Sequence, residues 1–154
     1  MSAAVLCDVL RAQGGTLAQH VREPDGPATP GPPQKAAAGP RAAGREAEYE
    51  LLLEMILEGS LLHYGSARVI RTADRDLALL LGDQLYAMGL ARLAALGDLE
   101  AVAVLADVIS QLAQAHAEGD GARTGAIWEA GAVAVGWGSG ELLHPAPSPT
   151  KDGS

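Results

Sequence analysis

Residues 71–98 read RTADRDLALLLGDQLYAMGLARLAALGD, and this stretch decides the fold class. Its leucines recur at helical spacing, so one broad face of the predicted helix is apolar. Thr72 or Asp74 can cap the start of this helix, and Gly97 can end it in the left-handed conformation. The sequence therefore predicts one long amphipathic helix between these signals.

A stripe of small residues runs along the same predicted helix. It consists of Ala78, Gly82 and Gly89. An interior glycine costs about 1 kcal/mol of helix propensity relative to alanine. We therefore expect the backbone of another helix to approach closely here, or a functional role to offset the cost.

Three further helices are predicted around the first. Asp98 can cap a helix over LEAVAVLADVISQLAQAHAEG, which follows directly. Upstream, the helical pattern REAEYELLLEMILEGSLLHYG starts at Arg45, and downstream the pattern RTGAIWEAGAVAVGWG carries Trp128. The upstream helix places a glutamate at every fourth position, which favours a solvent-exposed acidic face. These glutamates are Glu46, Glu50, Glu54 and Glu58.

The remaining segments differ in composition. Residues 1–22 form a possible N-terminal helix that a Gly-Gly pair interrupts. Residues 23–44 hold most of the prolines and lack the apolar bulk to order themselves, so we interpret them as a Pro/Gly/Ala-rich linker. Residues 45–138 then form the helical domain, and residues 139–154 a disordered tail. The expected fold class is all-α, an antiparallel helical bundle joined by tight turns.

Composition argues against several classes of function. The 154 residues carry a formal net charge of −8 with scattered basic residues, so we expect no binding to nucleic acid. Cys7 is the single cysteine, which rules out an internal disulfide and a cysteine-based metal cluster. No uncharged apolar stretch approaches the roughly 18 residues that span a bilayer, and the first residues make a poor secretory signal. We therefore expect a cytoplasmic protein without a membrane span.

Motifs typical of common enzymes are missing from the sequence. It contains no GxGxxG, GxxxxGK[ST], HExxH or GxSxG pattern. The histidines are far apart and share no metal-ligand spacing, and His63 with Ser66 lacks an orienting acid. We therefore predict no catalytic residue and no metal ligand in this chain.

The predicted helices resemble those of a known family. The segment LALLLGDQLYAMGLARLAALGD is similar to the helix that trans-polyprenyl diphosphate synthases write as A-x-L-x-G-D-x-L-x-x-x-A-F-x-x-L. The matching residues are Leu81, Gly82, Asp83, Leu85 and Leu93. LEAVAVLADVISQLAQA resembles the next helix of that family, and LLEMILEGSLLHYG approximates the helix before its first aspartate-rich motif. The resemblance covers residues 50–117 and implies an isoprenoid-synthase-like fragment.

The chain departs from the family where catalysis takes place. Enzymes of this family hold Mg²⁺ on the allylic diphosphate with two DDxxD motifs, because the leaving diphosphate must be neutralised. Here Tyr64 and Gly65 follow His63 in place of paired aspartates. The resemblance therefore implies a small, non-catalytic subunit. Such a subunit has no cofactor of its own and meets Mg²⁺ only through a catalytic polyprenyl synthase chain.

The resemblance also implies where the partner binds. In the family the corresponding helices build the dimer core, so residues 75–117 are expected to pair with a catalytic chain. The expected interface residues lie on the apolar and small-residue stripes: Leu77, Leu81, Gly82, Leu85, Met88, Gly89, Val102, Leu105, Ile109 and Leu112.

Two alternatives stay open. The first is a homodimeric helical module with no isoprenoid role, whose partner is a second copy of the chain. The second is a divergent enzyme that works through a polar site. The candidates for that site are His63, Tyr64, Arg68 and Asp83.

Overall fold

The computed structural model describes residues 2–26 and 29–138, and these form seven α-helices and no strand. The predicted all-α class is confirmed, whereas the antiparallel arrangement and the isoprenoid-synthase likeness stay predictions. The helices are α1 (Ser2–Gln13), α2 (Gly15–Gln19), α3 (Pro32–Ala37), α4 (Glu46–Tyr64), α5 (Arg75–Ala95), α6 (Leu99–Ala117) and α7 (Thr124–Trp137). Short 3₁₀ turns lie at Pro40–Ala42 and Gly121–Arg123. The predicted tail, 139–154, lies outside the described residues.

The predicted start and stop signals are confirmed. Asp74 caps α5, since its Oδ1 accepts a hydrogen bond of 3.1 Å from the amide of Leu77. Asp98 caps α6 in the same way, with a bond of 3.0 Å from the amide of Ala101. Gly97 between these helices has a φ of 83°, which favours glycine. These local signals give α5 and α6 their boundaries.

Helix α4 lies at the centre of the fold and contacts α1, α3, α5 and α6. It separates two apolar clusters. The C-terminal core combines α3, α4, α6 and α7 with Leu93 of α5, and includes Leu52, Ile56, Leu105, Leu112 and Trp128. The N-terminal core combines α1, α2, α4, α5 and the loop after α4, and includes Leu6, Leu10, Met55, Leu81 and Leu85. Because both cores use α4, this helix is apolar on most of its circumference.

Glycines bring α4 and α5 into backbone contact. A Cβ added at Gly82 would lie 2.6 Å from Cδ2 of His63 and 2.9 Å from the carbonyl oxygen of Gly59. A Cβ added at Gly89 would lie 2.7 Å from Cγ1 of Ile56. The predicted close approach of another helix at the small-residue stripe is thus confirmed. The approaching helix belongs to the same chain.

The interpretation of residues 23–44 as a linker is wrong for its second half. There α3 packs on α4 and α7, and Ala36 and Ala42 are fully buried in the C-terminal core. A Cβ at Gly39 would lie 2.3 Å from the carbonyl oxygen of Gly136 in α7. Small side chains order this segment because they let backbones touch, which compensates for their little apolar bulk.

The contact between α4 and α5 predicts how one methyl group added at a glycine changes the free energy of unfolding. Substitution Gly82→Ala should lower the free energy of unfolding by about 1–3 kcal/mol, because the new Cβ overlaps His63 and Gly59. Urea denaturation followed by circular dichroism measures this. The matched control is Gly125→Ala in α7, where a Cβ meets nothing within 4 Å. We expect the control to be neutral or slightly stabilising. Equal stabilities of the two variants would contradict the backbone contact.

Candidate functional site

A buried carboxylate lies at the middle of the chain, where an exposed one was expected. Glu58 of α4 is 0 % exposed. Its Oε2 accepts hydrogen bonds from the amides of Val69, at 2.7 Å, and Ile70, at 2.9 Å. Its Oε1 accepts from the amide of Arg68, at 3.2 Å, and from Nε of the same residue, at 3.3 Å. Glu58 therefore binds the loop after α4 through three successive amides.

A second buried carboxylate extends this centre. Glu54 is 2 % exposed, and its Oε1 lies 2.5 Å from Nη2 of Arg68. Nε2 of Gln34 donates to Oε2 of Glu54 at 3.3 Å and to Glu50 at 3.1 Å. The prediction of a solvent-exposed acidic face is therefore wrong for half of its glutamates, while Glu46 is exposed. Helix α4 is buried nearly all round. Glutamates that recur at every fourth position along it therefore include some that lie inside the protein.

This pairing makes burial of the charges tolerable. A buried ion costs several kcal/mol unless partners satisfy it. The guanidinium of Arg68 lies between the two carboxylates, and backbone amides supply the other donors to Glu58. The cluster ties the loop to α4, and its hydrogen bonds give it a structural role.

An open cleft of about 1000 Å³ lies beside this cluster. One wall comes from the start of α1 and residues 23–26, and the other from the loop between α4 and α5. Its charged lining residues balance in number: Glu23, Asp25 and Glu54 against Arg68, Arg71 and Arg75. Arg71 is ion-paired with Asp25, and Arg75 donates to the carbonyl of His63. The cleft therefore has no strong preference for an anion or a cation.

The structure brings three of the four predicted polar-site residues together and separates the fourth. Nε2 of His63 lies 2.9 Å from Oδ1 of Asp83, and the ring of Tyr64 lies 5.5 Å from that of His63. Arg68 instead binds Glu54 and lines the cleft. Asp83 is 65 % exposed, so this group lies at the surface. The arrangement lacks the enclosed pocket that the divergent-enzyme alternative requires.

Two aromatic partners of this group were missed from the sequence. Tyr86 stacks on His63 with ring centroids 5.3 Å apart, and His116 stacks on Tyr64 at 4.1 Å with an interplanar angle of 4°. Burial raises the pKa of the Tyr86 phenol well above its usual value, and its hydroxyl has no hydrogen-bond partner among the described residues. The sequence signal that could have identified Tyr86 is its position three residues after Asp83, which places the two on neighbouring turns of one helix.

A second polar centre joins the start of α6 to the C-terminal core. Oδ1 of Asp98 accepts from Arg41 at 2.7 Å, and Oδ2 accepts from the hydroxyl of Tyr49 at 2.7 Å. Burial acts to raise the pKa of Asp98, but the hydrogen bonds from Arg41, Tyr49 and the amide of Ala101 outweigh it and lower the pKa. The ionised form is therefore the one that stabilises the fold.

Most of the predicted interface is covered by the chain itself. Six of the ten residues are buried in the two cores or the glycine contact: Leu81, Gly82, Leu85, Gly89, Leu105 and Leu112. The other four are partly exposed: Leu77, Met88, Val102 and Ile109. The prediction that the six face a partner chain is wrong for this conformation, because periodicity identifies an apolar face and leaves open which chain covers it.

A different face of α5 and α6 is exposed. We call it the outer face; its residues are Leu80, Gln84, Ala87, Ala91 and Ala94 of α5, and Leu99, Ala103, Ala106, Ser110, Ala113 and Ala117 of α6. Leu80 is 65 % and Leu99 68 % exposed. The residues named for the outer face are uncharged, and the exposed acids Asp76 and Asp83 border them on α5. An exposed helix surface with this many uncharged positions is typical of a contact surface.

The described residues give limited support for a metal site or for a membrane-spanning helix. Within residues 2–26 and 29–138, no three His, Cys, Asp or Glu side chains form a group that could hold a metal ion. Helix α5 alone among the described helices is long and apolar enough to span a bilayer. A packed helix of a soluble protein passes the same test, so the absence of a membrane span stays a prediction.

Scans against models of protein families, and searches of curated proteins and of solved structures, found no match to this chain. The likeness to polyprenyl synthases rests on the quoted residues.

The Asp98 centre predicts a pH dependence of stability. Since the folded pKa of Asp98 lies below the unfolded value of about 4, its contribution is present above that value and lost as pH falls through the folded pKa. Asp98→Asn should destabilise the protein by roughly 1.5–3 kcal/mol at pH 7 and by less at pH 3. Urea denaturation at both pH values checks this. The exposed Asp8→Asn is the control, and a pH-independent difference between wild type and Asp98→Asn would contradict it.

Proposed function

We propose that this protein is a non-catalytic, subunit-like relative of polyprenyl diphosphate synthases that binds a catalytic synthase chain. Binding occurs through the hairpin of α5 and α6, the part of the chain that resembles the family. The chain contributes no catalytic residue, metal ligand or cofactor, and Mg²⁺ belongs to the partner. Its role is to help shape or stabilise the product cavity of the catalytic chain.

One observation carries the proposal, and it is the uncharged outer face. The eleven named positions are exposed and uncharged, although 19 % of the chain is charged, and exposed Asp76 and Asp83 lie beside them on α5. Alanine side chains let a second helix pair approach closely, and Leu80 and Leu99 add exposed apolar area. Covering the named positions removes apolar surface from water, while the bordering Asp76 and Asp83 keep contact with solvent or meet a cation of the partner.

The position of the contact differs from the one predicted by the sequence. The stripe through Leu81 and Leu85 faces the N-terminal core, so the outer face of the same helices takes its place. The partly exposed Val102 and Ile109 lie along the edge of α6 and can extend the contact. We keep 75–117 as the segment of this chain that binds the partner.

The second candidate is a homodimeric module with no isoprenoid role. The same outer face favours it, because a twofold axis can bring two copies of an uncharged face together. It differs from the first candidate in requiring no synthase chain.

Charge placed on the outer face separates these possibilities. Co-expression with a DDxxD-bearing synthase chain of the same genome should give a complex, measured by size-exclusion chromatography with light scattering. Ala91→Glu combined with Ala106→Glu should weaken it at least about tenfold, because an unpaired carboxylate is buried. Ala130→Glu, at an exposed position of α7, is the matched control and should leave binding unchanged.

Two outcomes distinguish the synthase-binding subunit from the homodimeric module. A monomer that binds no synthase chain of its genome would overturn the proposal. A dimer formed by the chain alone, dissociated by the paired substitutions and indifferent to every synthase chain, would establish the homodimeric module instead.

A further inference from the structure

The N-terminal part of the chain lies across the helical body as a separate layer. We call residues 2–26 the strap. Its apolar side chains Leu6, Leu10 and Leu17 are buried in the N-terminal core. Helix α1 packs on α4, and these side chains share the N-terminal core with the fully buried Met55 and Leu85. The strap thus covers part of the core side of α4.

The polar attachment of the strap to the body is narrow. The amide of Arg22 donates to the carbonyl of Val69 at 2.7 Å, and the amide of Arg71 donates to the carbonyl of His20 at 2.9 Å. Arg71 also forms an exposed ion pair with Asp25. Among the described residues, the hydrogen bonds between the strap and the body all involve Val69 or Arg71.

Glu58 makes most of the hydrogen bonds between α4 and the segment that holds the strap. Glu54 adds an ion pair with Arg68, and Val69 and Ile70 are buried in the N-terminal core. Glu58 accepts from the amides of Arg68, Val69 and Ile70. The strap bonds therefore depend on the geometry that Glu58 gives to this loop. Removing the charge of Glu58 weakens hydrogen bonds to a buried carboxylate, which are stronger than neutral ones.

The large cleft marks the seam between the two layers. Ala3, Ala4 and residues 23–26 line it on the strap side, and the loop of Arg68 and Arg71 on the body side. A volume of about 1000 Å³ at this edge leaves the strap without close packing there. Across this edge the strap and the body are joined by the exposed ion pair of Arg71 with Asp25.

We propose that the strap is a detachable cover, which opens as one unit while α4 to α7 stay folded, and that Glu58 sets the population of the open state. Opening exposes the side of α4 on which α1 packs and the part of the N-terminal core around Met55. This inference stands independently of the partner proposed for the outer face.

The single cysteine is a built-in reporter of this motion. Cys7 lies on the inner side of the strap, is 0 % exposed, and its Sγ lies 3.4 Å from the carbonyl of Arg22. Burial, followed by the charge of Glu23, raises the pKa of its thiol, so the closed state reacts slowly. Alkylation of Cys7 in the native full-length protein should therefore follow strap opening. Mass spectrometry measures its rate at several urea concentrations.

The dependence on urea distinguishes local from global opening. A local opening exposes little surface, so the logarithm of the labelling rate should rise with urea less steeply than the global unfolding constant. Glu58→Gln should speed labelling at low urea roughly tenfold or more. Asp98→Asn, which removes a buried carboxylate of the other core, is the matched control and should not change this low-urea rate.

Two results would overturn the proposal. Labelling of wild-type Cys7 with the full urea dependence of global unfolding would mean that the strap never opens alone. Equal acceleration by Glu58→Gln and Asp98→Asn would mean that Glu58 acts through global stability and does not govern the strap.

Discussion

The backbone contact between α4 and α5 constrains the rest of the structure. Gly59 and Gly82 face one another so closely that neither accepts a Cβ without displacing its neighbour. With α5 so near, and α1, α3 and α6 on its other sides, α4 has little solvent-exposed surface left. A helix in this position is buried nearly all round, and its polar residues must find partners inside the protein. The burial of Glu54 and Glu58 follows from that constraint.

Glu54 and Glu58 connect α4 to the loop that follows it. A loop that follows a helix has amides that neither helix nor sheet satisfies, and the carboxylate of Glu58 supplies their acceptor. Arg68 from the same loop compensates part of the charge. The loop then offers its outward carbonyl at Val69 and its amide at Arg71 to the N-terminal segment. A polar cluster at the centre thereby determines where an apolar strap attaches, although apolar burial supplies most of the strap's stabilisation.

The sequence predicted the features that depend on interactions between residues close together in the chain. The caps Asp74 and Asp98 and the stop at Gly97 depend on hydrogen bonds within a few residues, and each lies where its spacing indicated. Features that depend on the surroundings were not predictable in this way. The fourfold glutamate repeat looks the same whether solvent or a loop faces it, and so Glu58 was assigned to the surface. Residues 32–42 looked like a linker because nothing in their composition reveals that Gly136 lies where a small backbone can meet it.

The chain covers one apolar face of α5 and leaves the other open, and this asymmetry bears on function. The side with Leu81 and Leu85 is buried in the N-terminal core, so its burial is intramolecular and independent of concentration. No part of the chain that the structure describes covers Leu80, Ala91 and Ala106 of the outer face, so burial of this face by a partner would depend on the partner's concentration. The named positions of this face carry no charge, and two exposed acids of α5, Asp76 and Asp83, lie at its border. This composition agrees with the contact that we propose for the face.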